Sequence, residues 1–376
     1  MRRPLQPLTG LRVLDFSTLL PGPLATLILA EAGAEVIKVE PPEGGEELRK
    51  QLPRFGDSGV LFGLLNRGKK SVSIDLKAEG ALDRIRPLVE SADILVEQFR
   101  PGVMKRLGLD YRAAKAINPR IIYCSITGFG QMGERSGDAG HDLNYMALSG
   151  LLALSRGSDG APVVPQAQVA DIGAGSYPAV INILLALRER DRTGEGCALD
   201  ISMTDNLFPF LWMAAGLGHA TGRWPTGNDL VLNGASPRYA VYKTRDGEWL
   251  AVGALEDKFW ATFCECIGLD EALRDDRPDP EATRAGVAKR VARKTAADLK
   301  VLFNGKDVCA TIVTKLADAV HDRHIRGRGL FDRTLTQNGL SIPAAAVPLA
   351  PRFRPTEKDD TYPELGSANA LIGDEG

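Results

Sequence analysis

The sequence predicts an α/β protein in which a doubly wound parallel sheet carries a second, smaller α+β domain. Along the first half of the chain, short apolar runs alternate with segments of helical periodicity, which is typical of parallel βαβ units. Two apolar runs around an Asp-Gly pair, within 239–252, instead indicate an antiparallel hairpin. The length of 376 residues exceeds the size at which a single core usually divides.

The parallel strands are short apolar runs bounded by turn residues. They are expected at 11–16, 34–40, 71–75, 94–97, 121–126 and 197–203. The helices are expected at 24–31, 78–91, 111–117 and 176–190 in the large domain, and at 256–267 and 296–303 in the small one. Ligand loops should then lie at the carboxyl ends of the strands.

The predicted large domain comprises 1–221 and 319–376, and the small domain comprises 222–318. Segment 43–68 is rich in Gly, Pro and charge, so we expect a long surface excursion there, ordered on ligand binding. The proline-rich tail from Arg328 is too polar to form a core alone. We expect it to pack back across the large domain.

Composition limits the classes of function. The net charge of −2 provides no global field that would recruit nucleic acid or an anionic membrane. Five scattered cysteines form neither a disulfide framework nor a C-x-x-C metal pair, which indicates a reducing compartment. The basic N-terminus is followed by an apolar run that Asp15, Pro21 and Pro23 interrupt, so it is neither a signal nor a membrane segment. We expect a cytoplasmic protein.

The segment 127–145 holds the main candidate site. Gly128-Phe-Gly130-Gln-Met-Gly133 matches the dinucleotide fingerprint G-x-G-x-x-G after a predicted strand, but the residues that follow it cannot open a packed helix. We therefore interpret it as a substrate loop, with a nicotinamide dinucleotide as the alternative. His141 is one of four histidines and stands in this Gly-rich loop. It is either a catalytic group or a loop histidine bonded to a backbone carbonyl.

Two carboxylates follow as further candidates. Asp171 directly precedes the helix at 176–190, where it is a helix cap, a catalytic carboxylate held ionised by the helix terminus, or both. Glu256 ends the hairpin and is read from the residues alone as a helix-starting acid. The remaining histidines have no metal-ligand spacing, so no metal site is expected. Basic residues near strand ends are either solvated surface or a polyphosphate site, and they are Lys38, Arg67, Lys69, Lys70, Lys77 and Arg100.

Taken together, several motifs resemble one known family over nearly the whole chain. They include Gly33-Ala-Glu-Val-Ile-Lys-Val-Glu40, Phe99-Arg-Pro-Gly-Val103, Gly140-His-Asp-Leu-Asn-Tyr145, Asp171-Ile-Gly173 and Gly253-Ala-Leu-Glu256. The chain resembles the family III CoA-transferases and α-methylacyl-CoA racemases of the CaiB/BaiF type. The resemblance implies an interlocked homodimer with a Rossmann-like large domain that binds CoA. It also implies an acyl-CoA substrate, with CoA present only as part of the thioester and no permanently bound cofactor.

The active-site motif is most similar to that of the racemases. By this resemblance His141 and Asp171 move the α-proton on opposite faces, Glu256 orients the histidine, and backbone N–H groups near Asp142 stabilise the enolate oxygen. The expected CoA-binding residues are Lys38, Arg67, Lys70, Lys77, Arg100, Gly128, Phe129, Gly130, Asn144 and Tyr145. The alternative is a CoA-transferase, because the long loop 43–68 is more similar to that of the transferases. In a transferase Asp171 would be the nucleophile. A non-enzymatic binding module is the third class, if Asp171 is only a cap.

Overall fold

The computed structural model of the protein describes residues 6–157, 159–227, 229–356 and 359–373. The start of the chain at 1–5, interpreted above as neither signal nor membrane segment, lies outside them. The chain divides into two compact units. The first comprises Met1–Gly150, Pro165–Phe210 and Arg323–Gly376, and the second Leu151–Val164 and Leu211–Asp322. The predicted boundary at 222 differs from this division, because Trp212–Thr221 and 151–164 cluster with the second unit.

A six-stranded parallel sheet forms the centre of the first unit. Its strands are β1 (Arg12–Asp15), β2 (Glu35–Glu40), β3 (Lys70–Ser73), β4 (Ile94–Glu97), β5 (Ile122–Thr127) and β6 (Ala198–Ser202). Their spatial order is β3-β2-β1-β4-β5-β6, with every pair parallel. This is the strand order of Rossmann folds, in which the order reverses between β1 and β4. The prediction of an α/β fold with a parallel sheet is confirmed.

Fourteen α-helices accompany the strands within the described residues. In chain order they are α1 (Pro21–Glu31), α2 (Val60–Asn66), α3 (Ala81–Ser91), α4 (Val103–Arg106), α5 (Tyr111–Ile117), α6 (Asp142–Ser149), α7 (Leu151–Leu154), α8 (Tyr177–Thr193), α9 (Trp212–Thr221), α10 (Asp257–Ile267), α11 (Pro280–Val291), α12 (Ala296–Phe303), α13 (Leu316–Ala319) and α14 (Arg323–Gly327). A π-helix over Val169–Ser176 leads directly into α8.

Helices cover both faces of the parallel sheet. On one face, Leu14, Ile37 and Leu95 pack with buried side chains of α3 and α5. Alternate strand residues point to the other face because side chains alternate along a strand. There α1 and α8 pack against each other, and α1 contributes a separate apolar cluster with Leu27 and Ile28. The central strands β1, β2, β4 and β5 are thereby almost entirely buried, as is typical of parallel sheets covered on both faces.

The first helix lacks the usual diphosphate site of dinucleotide-binding folds. Such folds hold the diphosphate on free N–H groups at the N-terminus of the helix that follows β1. Here α1 begins Pro21-Gly22-Pro23, and neither proline has an N–H group. The Gly22 N–H donates to the Oε1 of Gln98 at 3.0 Å. This terminus therefore offers little to a diphosphate, which argues against the nicotinamide alternative.

Segment 43–68 is part of a packed cluster, which corrects the expectation of a surface excursion. It contains a 3-10 turn at Glu47–Arg49, a short hairpin and α2. Phe62 is fully buried and meets the ring of Tyr362 edge-on at 5.9 Å. Leu335, at 0% exposure, belongs to the same cluster. The segment is thus ordered by the C-terminal tail, which forms a three-stranded sheet of β10 (Arg333–Gln337), β11 (Leu340–Ala344) and β12 (Asp359–Asp360).

The second unit has its own α+β core. Its sheet contains β7 (Tyr239–Lys243), β8 (Trp249–Gly253) and β9 (Ala310–Ile312), and all pairs are antiparallel. The hairpin of β7 and β8 was predicted from its Asp246-Gly247 turn, and Gly247 has φ +82° there. Apolar residues of α10, α11 and α12 pack on this sheet.

Candidate active site

A cavity of about 370 Å³ opens at the carboxyl edge of the parallel sheet, where the strand order reverses. It is lined by residues that follow β4, by the loop after β5 and by the π-helix. Most of the predicted site residues from these three segments converge on it, namely Arg100, Gly128, Phe129, His141, Asn144, Tyr145 and Asp171. The position agrees with the general rule that open α/β sheets bind ligands at such a reversal.

The loop after β5 carries His141 to the start of α6. The loop contains no helix from Gly128 to Gly140, as the atypical fingerprint predicted. His141 is the N-cap of α6, and its backbone N–H donates to Asn144 Oδ1 at 3.0 Å. His141 is exposed at the cavity wall. Asn144 therefore orients the histidine backbone in addition to lining the cavity.

Tyr145 explains why glycine is required on both sides of this loop. Its hydroxyl donates to the Gly140 carbonyl at 2.5 Å, and its ring meets Phe129 edge-on at 5.2 Å. A Cβ atom on Gly128 would lie 2.3 Å from the tyrosine ring, and one on Gly140 would lie 2.6 Å from it. The ring can occupy this position only because both residues lack a side chain. The loop glycines therefore serve the packing of Tyr145 and not a dinucleotide.

Asp171 lies in the first half of the π-helix that precedes α8. π-Helices are rare and often mark functional sites. Burial and, to a smaller extent, the nearby Asp142 carboxylate raise the pKa of the Asp171 carboxyl to about 6, while His141 acts in the opposite direction. We expected a helix terminus to keep this carboxyl ionised, and the structure corrects the direction of that shift. A carboxyl with a pKa near neutrality is suited to accept and return a proton.

Asp142 touches the same π-helix through its side chain. Its Oδ1 accepts hydrogen bonds from the backbone N–H groups of Ala170 at 2.7 Å and Asp171 at 3.0 Å. The Asp142 carboxylate thereby caps the π-helix, whereas its own backbone N–H lies in the first turn of α6 and has no intrahelical acceptor.

A second cavity, of about 940 Å³, lies beside the first. Leu19 and Phe99 line both cavities, so the two are contiguous. Leu19 has φ +62°, a left-handed conformation that is unfavourable for a branched side chain and is found mainly where function or packing imposes it. Lys77 and Arg106 are the basic residues at this cavity. The pair of cavities suits a long ligand with two different ends.

The wall of the second cavity is more acidic than the sequence suggested. Carboxylate residues in its lining are Glu40, Glu43, Glu46, Glu47 and Asp75. Lys38 is fully buried, donates to the Ser17 carbonyl at 2.8 Å and pairs with Glu46 at 2.6 Å. The expectation that Lys38 binds CoA is therefore corrected, because its ammonium group is enclosed by the protein itself.

Arg67 and Lys70 are likewise engaged outside the two cavities. Arg67 is 3% exposed and its guanidinium donates to Glu31 and to the Ala345 carbonyl, so its expected contact with CoA is also corrected. Lys70 is exposed, pairs with Glu35 and lines neither cavity. Of the predicted basic residues, Arg100 and Lys77 line the cavities.

Glu256 belongs to the second unit. It is the exposed N-cap of α10, which agrees with the reading of a helix-starting acid. Its expected action on His141 stays a prediction. Within the described ranges, no three His, Cys, Asp or Glu side chains converge as metal ligands.

Several lining residues were not predicted from the sequence. They are Gln98, Asp138, Met203 and, at the second cavity, Val103 and Arg106. Gln98 and Arg106 follow the end of β4, beside the predicted Arg100. The rule that places ligands at strand ends identifies this stretch, but it does not select individual side chains.

Comparison with known proteins agrees with this geometry. The profile of CoA-transferase family III matches residues 8–369. An α-methylacyl-CoA racemase of Mus musculus is 36% identical over 366 residues, which cover 95% of this chain and 91% of the mouse protein. A succinate–glutarate CoA-transferase of Agrobacterium fabrum is 32% identical over 386 residues, covering 97% and 94%. The crystal structure of a CaiB/BaiF family protein from Brucella suis superposes with a TM-score of 0.84 at 30% identity and covers 98% of both chains.

Proposed function

The chain belongs to CoA-transferase family III, and from that premise we propose that it is an acyl-CoA racemase that inverts the α-carbon of a 2-methylacyl-CoA thioester. The observation that carries the proposal is the shared cavity of His141 and Asp171. A histidine is present where a proton donor or acceptor is required. The Asp171 carboxyl is the second group that can accept or donate a proton, and its pKa is raised to about 6, close to working pH.

The proposed reaction is a 1,1-proton transfer. One of the two groups, for example the Asp171 carboxylate, takes the proton from the α-carbon, and the electrons of the C–H bond delocalise onto the thioester oxygen. The resulting enolate then takes a proton from His141 on its other face. The reverse direction exchanges the two roles, so no external acid, base or redox partner is consumed. The Asp142 N–H, free in the first turn of α6, is the proposed donor to the enolate oxygen.

CoA itself is proposed to span the two contiguous cavities. The larger cavity has apolar walls, including Val39, Ile74 and Leu107, that suit an adenine ring, and carboxylates that can accept hydrogen bonds from its amino group or from ribose hydroxyls. Lys77 and Arg106 would meet the phosphates. The pantetheine arm would pass Leu19 and Phe99 and bring the thioester to Asp171.

A CoA-transferase is the second candidate. It is favoured by the half-exposed position of the Asp171 carboxyl in the cavity and by the transferases among the relatives. In that case Asp171 would attack the thioester carbonyl to give an acyl-aspartyl anhydride and free CoA thiolate. His141 would then be dispensable for the chemical step.

We expect the wild-type protein to incorporate deuterium at the α-carbon of (R)-2-methylacyl-CoA in deuterated water, with loss of stereochemistry and without an acceptor acid. His141→Ala should lower this exchange about 10²- to 10⁴-fold, the usual contribution of a positioned general acid–base. Mass spectrometry and chiral analysis of the recovered acyl group measure both effects. Replacement of the exposed His321 by alanine is the matched control and should leave exchange unchanged.

Two results would decide against the racemase. One is wild-type protein that shows no exchange but transfers CoA when free carboxylic acids are added. The other is a His141→Ala variant that retains full activity. The first result would assign Asp171 the role of nucleophile, and the second would remove His141 from the proposed proton transfer.

We also propose that the protein is a homodimer whose interface includes the outer face of α8. Four apolar side chains on this face are exposed in the single chain: Tyr177 at 38%, Ile181 at 56%, Leu184 at 44% and Leu185 at 63%. Their spacing places them on one side of the helix. The segment Val169–Thr193 is also long and apolar enough to cross a bilayer, but part of it is buried against α1 and the sheet. A second copy of the chain is the occupant that the family resemblance favours.

The mass in solution tests the dimer. Light scattering coupled to size exclusion should give twice the 40.4 kDa chain mass for the wild type. Ile181→Lys combined with Leu185→Lys should give the monomer mass, because two ammonium groups would be desolvated in the interface. Val301→Lys, which changes an apolar side chain 79% exposed on α12, is the control and should stay dimeric. A wild-type monomer, or a dimer unaffected by the double substitution, would contradict the proposal.

A further inference from the structure

The side chain of Asp142 is directed at the backbone of the other catalytic segment. Its Oδ1 accepts from the N–H of Ala170 at 2.7 Å and from the N–H of Asp171 at 3.0 Å. These two amides open the π-helix, where backbone N–H groups have no intrahelical acceptor. One carboxylate oxygen therefore fixes the position of the main chain that carries Asp171.

The same contact joins the two parts of the candidate site. Asp142 is the first residue of α6 and follows His141, whereas Asp171 lies 29 positions further along the chain. A side-chain shift at Asp142 would consequently change the position of Asp171 relative to the histidine. Near-attack geometry of reacting groups is sensitive to displacements of this kind.

The contact also places a second carboxylate beside Asp171. Among the causes that raise the pKa of Asp171, burial is the largest and the negative charge of Asp142 is the next, while His141 lowers the pKa. The other charged or titratable side chains at the cavity are Arg100, Asp138 and Tyr145. Of these three, Tyr145 interacts with Asp171, because the Asp171 charge adds to burial in raising the pKa of the tyrosine to about 12. Among the neighbouring side chains, Asp142 has the largest effect on the pKa of Asp171, so its substitution should change the protonation of Asp171 most.

We propose that Asp142 is a positioning residue whose carboxylate holds the Asp171 main chain through two hydrogen bonds and places a negative charge beside the Asp171 carboxyl. The proposal deepens the racemase function proposed above and rests on it where activity is concerned. It assigns the Asp142 side chain a role separate from that of its backbone N–H, which faces the enolate oxygen in the proposed mechanism. The two roles can be separated by substitution.

Asp142→Asn is the informative variant, because an amide keeps an acceptor oxygen for the two N–H groups and removes the charge. We expect the acidic limb of the pH–rate profile of α-proton exchange to move to lower pH by about one unit, as for a carboxyl that loses a like-charged neighbour. Asp142→Ala removes charge and acceptor together, so it should show the same displacement with a further loss in kcat at all pH values. Asp83→Asn, which changes an exposed acid in the first turn of α3 in the same unit, is the control and should leave the limb in place.

A second measurement needs no substrate. The difference in unfolding free energy between a protein and its Asp171→Asn derivative, followed against pH, reports the titration of Asp171. We expect the pH at which this difference changes to be lower in the Asp142→Asn background than in the wild type. The comparison requires urea unfolding of four proteins, namely the wild type, Asp142→Asn, Asp171→Asn and the double variant. It does not depend on Asp142→Ala, so it remains possible if that variant does not fold.

An unchanged limb and an unchanged stability titration in Asp142→Asn would overturn the proposal, and Asp142 would then be a helix cap without influence on Asp171. Wild-type protein that lacks both exchange and transfer would instead refute the proposed function. The stability titration would still decide the role of Asp142 in that case, so the two failures are distinguishable.

Discussion

Asp171→Asn is expected to abolish most of the activity and, at neutral pH, to make the folded protein more stable. The loss in α-proton exchange should be about 10²- to 10⁴-fold, because the amide cannot accept the proton. The gain in stability follows from the raised pKa of the Asp171 carboxyl, which burial and Asp142 bring to about 6. A group with this property costs stability whenever it is ionised in the folded protein. The site therefore retains a charge that opposes folding.

The pH dependence of this gain has a definite sign. The unfolded chain releases the Asp171 proton near the ordinary value of 3.8, and the folded chain releases it near 6. The favourable contribution of the protonated carboxyl is complete below the unfolded pKa and is lost as pH rises through the folded pKa. Asparagine has no proton to lose, so its advantage over aspartate should appear between these values. Above pH 7 it should reach on the order of 1–3 kcal/mol, since each pKa unit corresponds to about 1.4 kcal/mol and part of the group contacts solvent.

Urea unfolding between pH 4 and pH 8 measures this difference. Asp246→Asn is a control of opposite sign, because the hydrogen bond from Thr244 lowers the pKa of the Asp246 carboxyl. Its contribution is present above the unfolded pKa and is lost as pH falls through the folded value, so the Asn variant should be the less stable protein at neutral pH. If Asp171→Asn were destabilising at pH 8, the Asp171 carboxylate would have to make a stabilising contact in the folded protein.

The parallel sheet could be predicted from sequence because its signal is local. Each strand of the sheet is a stretch of four to six residues that lies within or overlaps a predicted strand, and β4 and α5 have the predicted bounds. The π-helix is different. Gly173 and Gly175 pack against Phe210, Met203 and Pro21, so its unusual backbone depends on contacts with distant segments. The sequence of 169–176 has no periodicity that predicts a π-helix.

The surroundings of the basic residues also depend on distant segments and could not be predicted from the sequence. Lys38 lies within β2 and Arg67 lies just before β3, and both were expected to bind CoA. Their partners Glu46 and Glu31 lie 8 and 36 positions away and enclose them completely. Whether a lysine near a strand end faces ligand or protein depends on such partners, and one sequence does not identify them. Lys77, by contrast, lines the second cavity, and its backbone N–H donates to Asp75 Oδ1 at 2.9 Å.

The ordering of segment 43–68 also depends on distant residues. Arg49 stacks on Phe62 at 3.8 Å and is bonded to Glu40 and to the carbonyl of Pro363. The content of Gly, Pro and charged residues predicted a surface loop. The prediction failed because the tail, some 300 positions later in the chain, contributes the apolar partners of the segment. The two polar segments form a core only in combination.

The second large effect is expected for Glu31→Ala, which should destabilise the protein by about 3–5 kcal/mol, the usual cost of leaving a buried charge without its partner. Glu31 is the last residue of α1 and is 4% exposed. Its Oε1 accepts from Arg67 Nη2 at 2.5 Å and lies 3.8 Å from Arg333 Nε. Both arginines are buried, and both also meet Asp360. Loss of Glu31 would leave two guanidinium groups with one carboxylate.

Urea unfolding followed by far-ultraviolet circular dichroism measures the loss. Glu90→Ala is the matched control, because Glu90 pairs with Arg86 on a surface where both side chains are 54% exposed. Exposed pairs contribute little, so this control should change the unfolding free energy by less than about 1 kcal/mol. If Glu31→Ala also lowered the unfolding free energy by less than about 1 kcal/mol, water or Asp360 alone would be sufficient to stabilise the two arginine charges. The apolar contacts of the C-terminal tail would then hold it to α1.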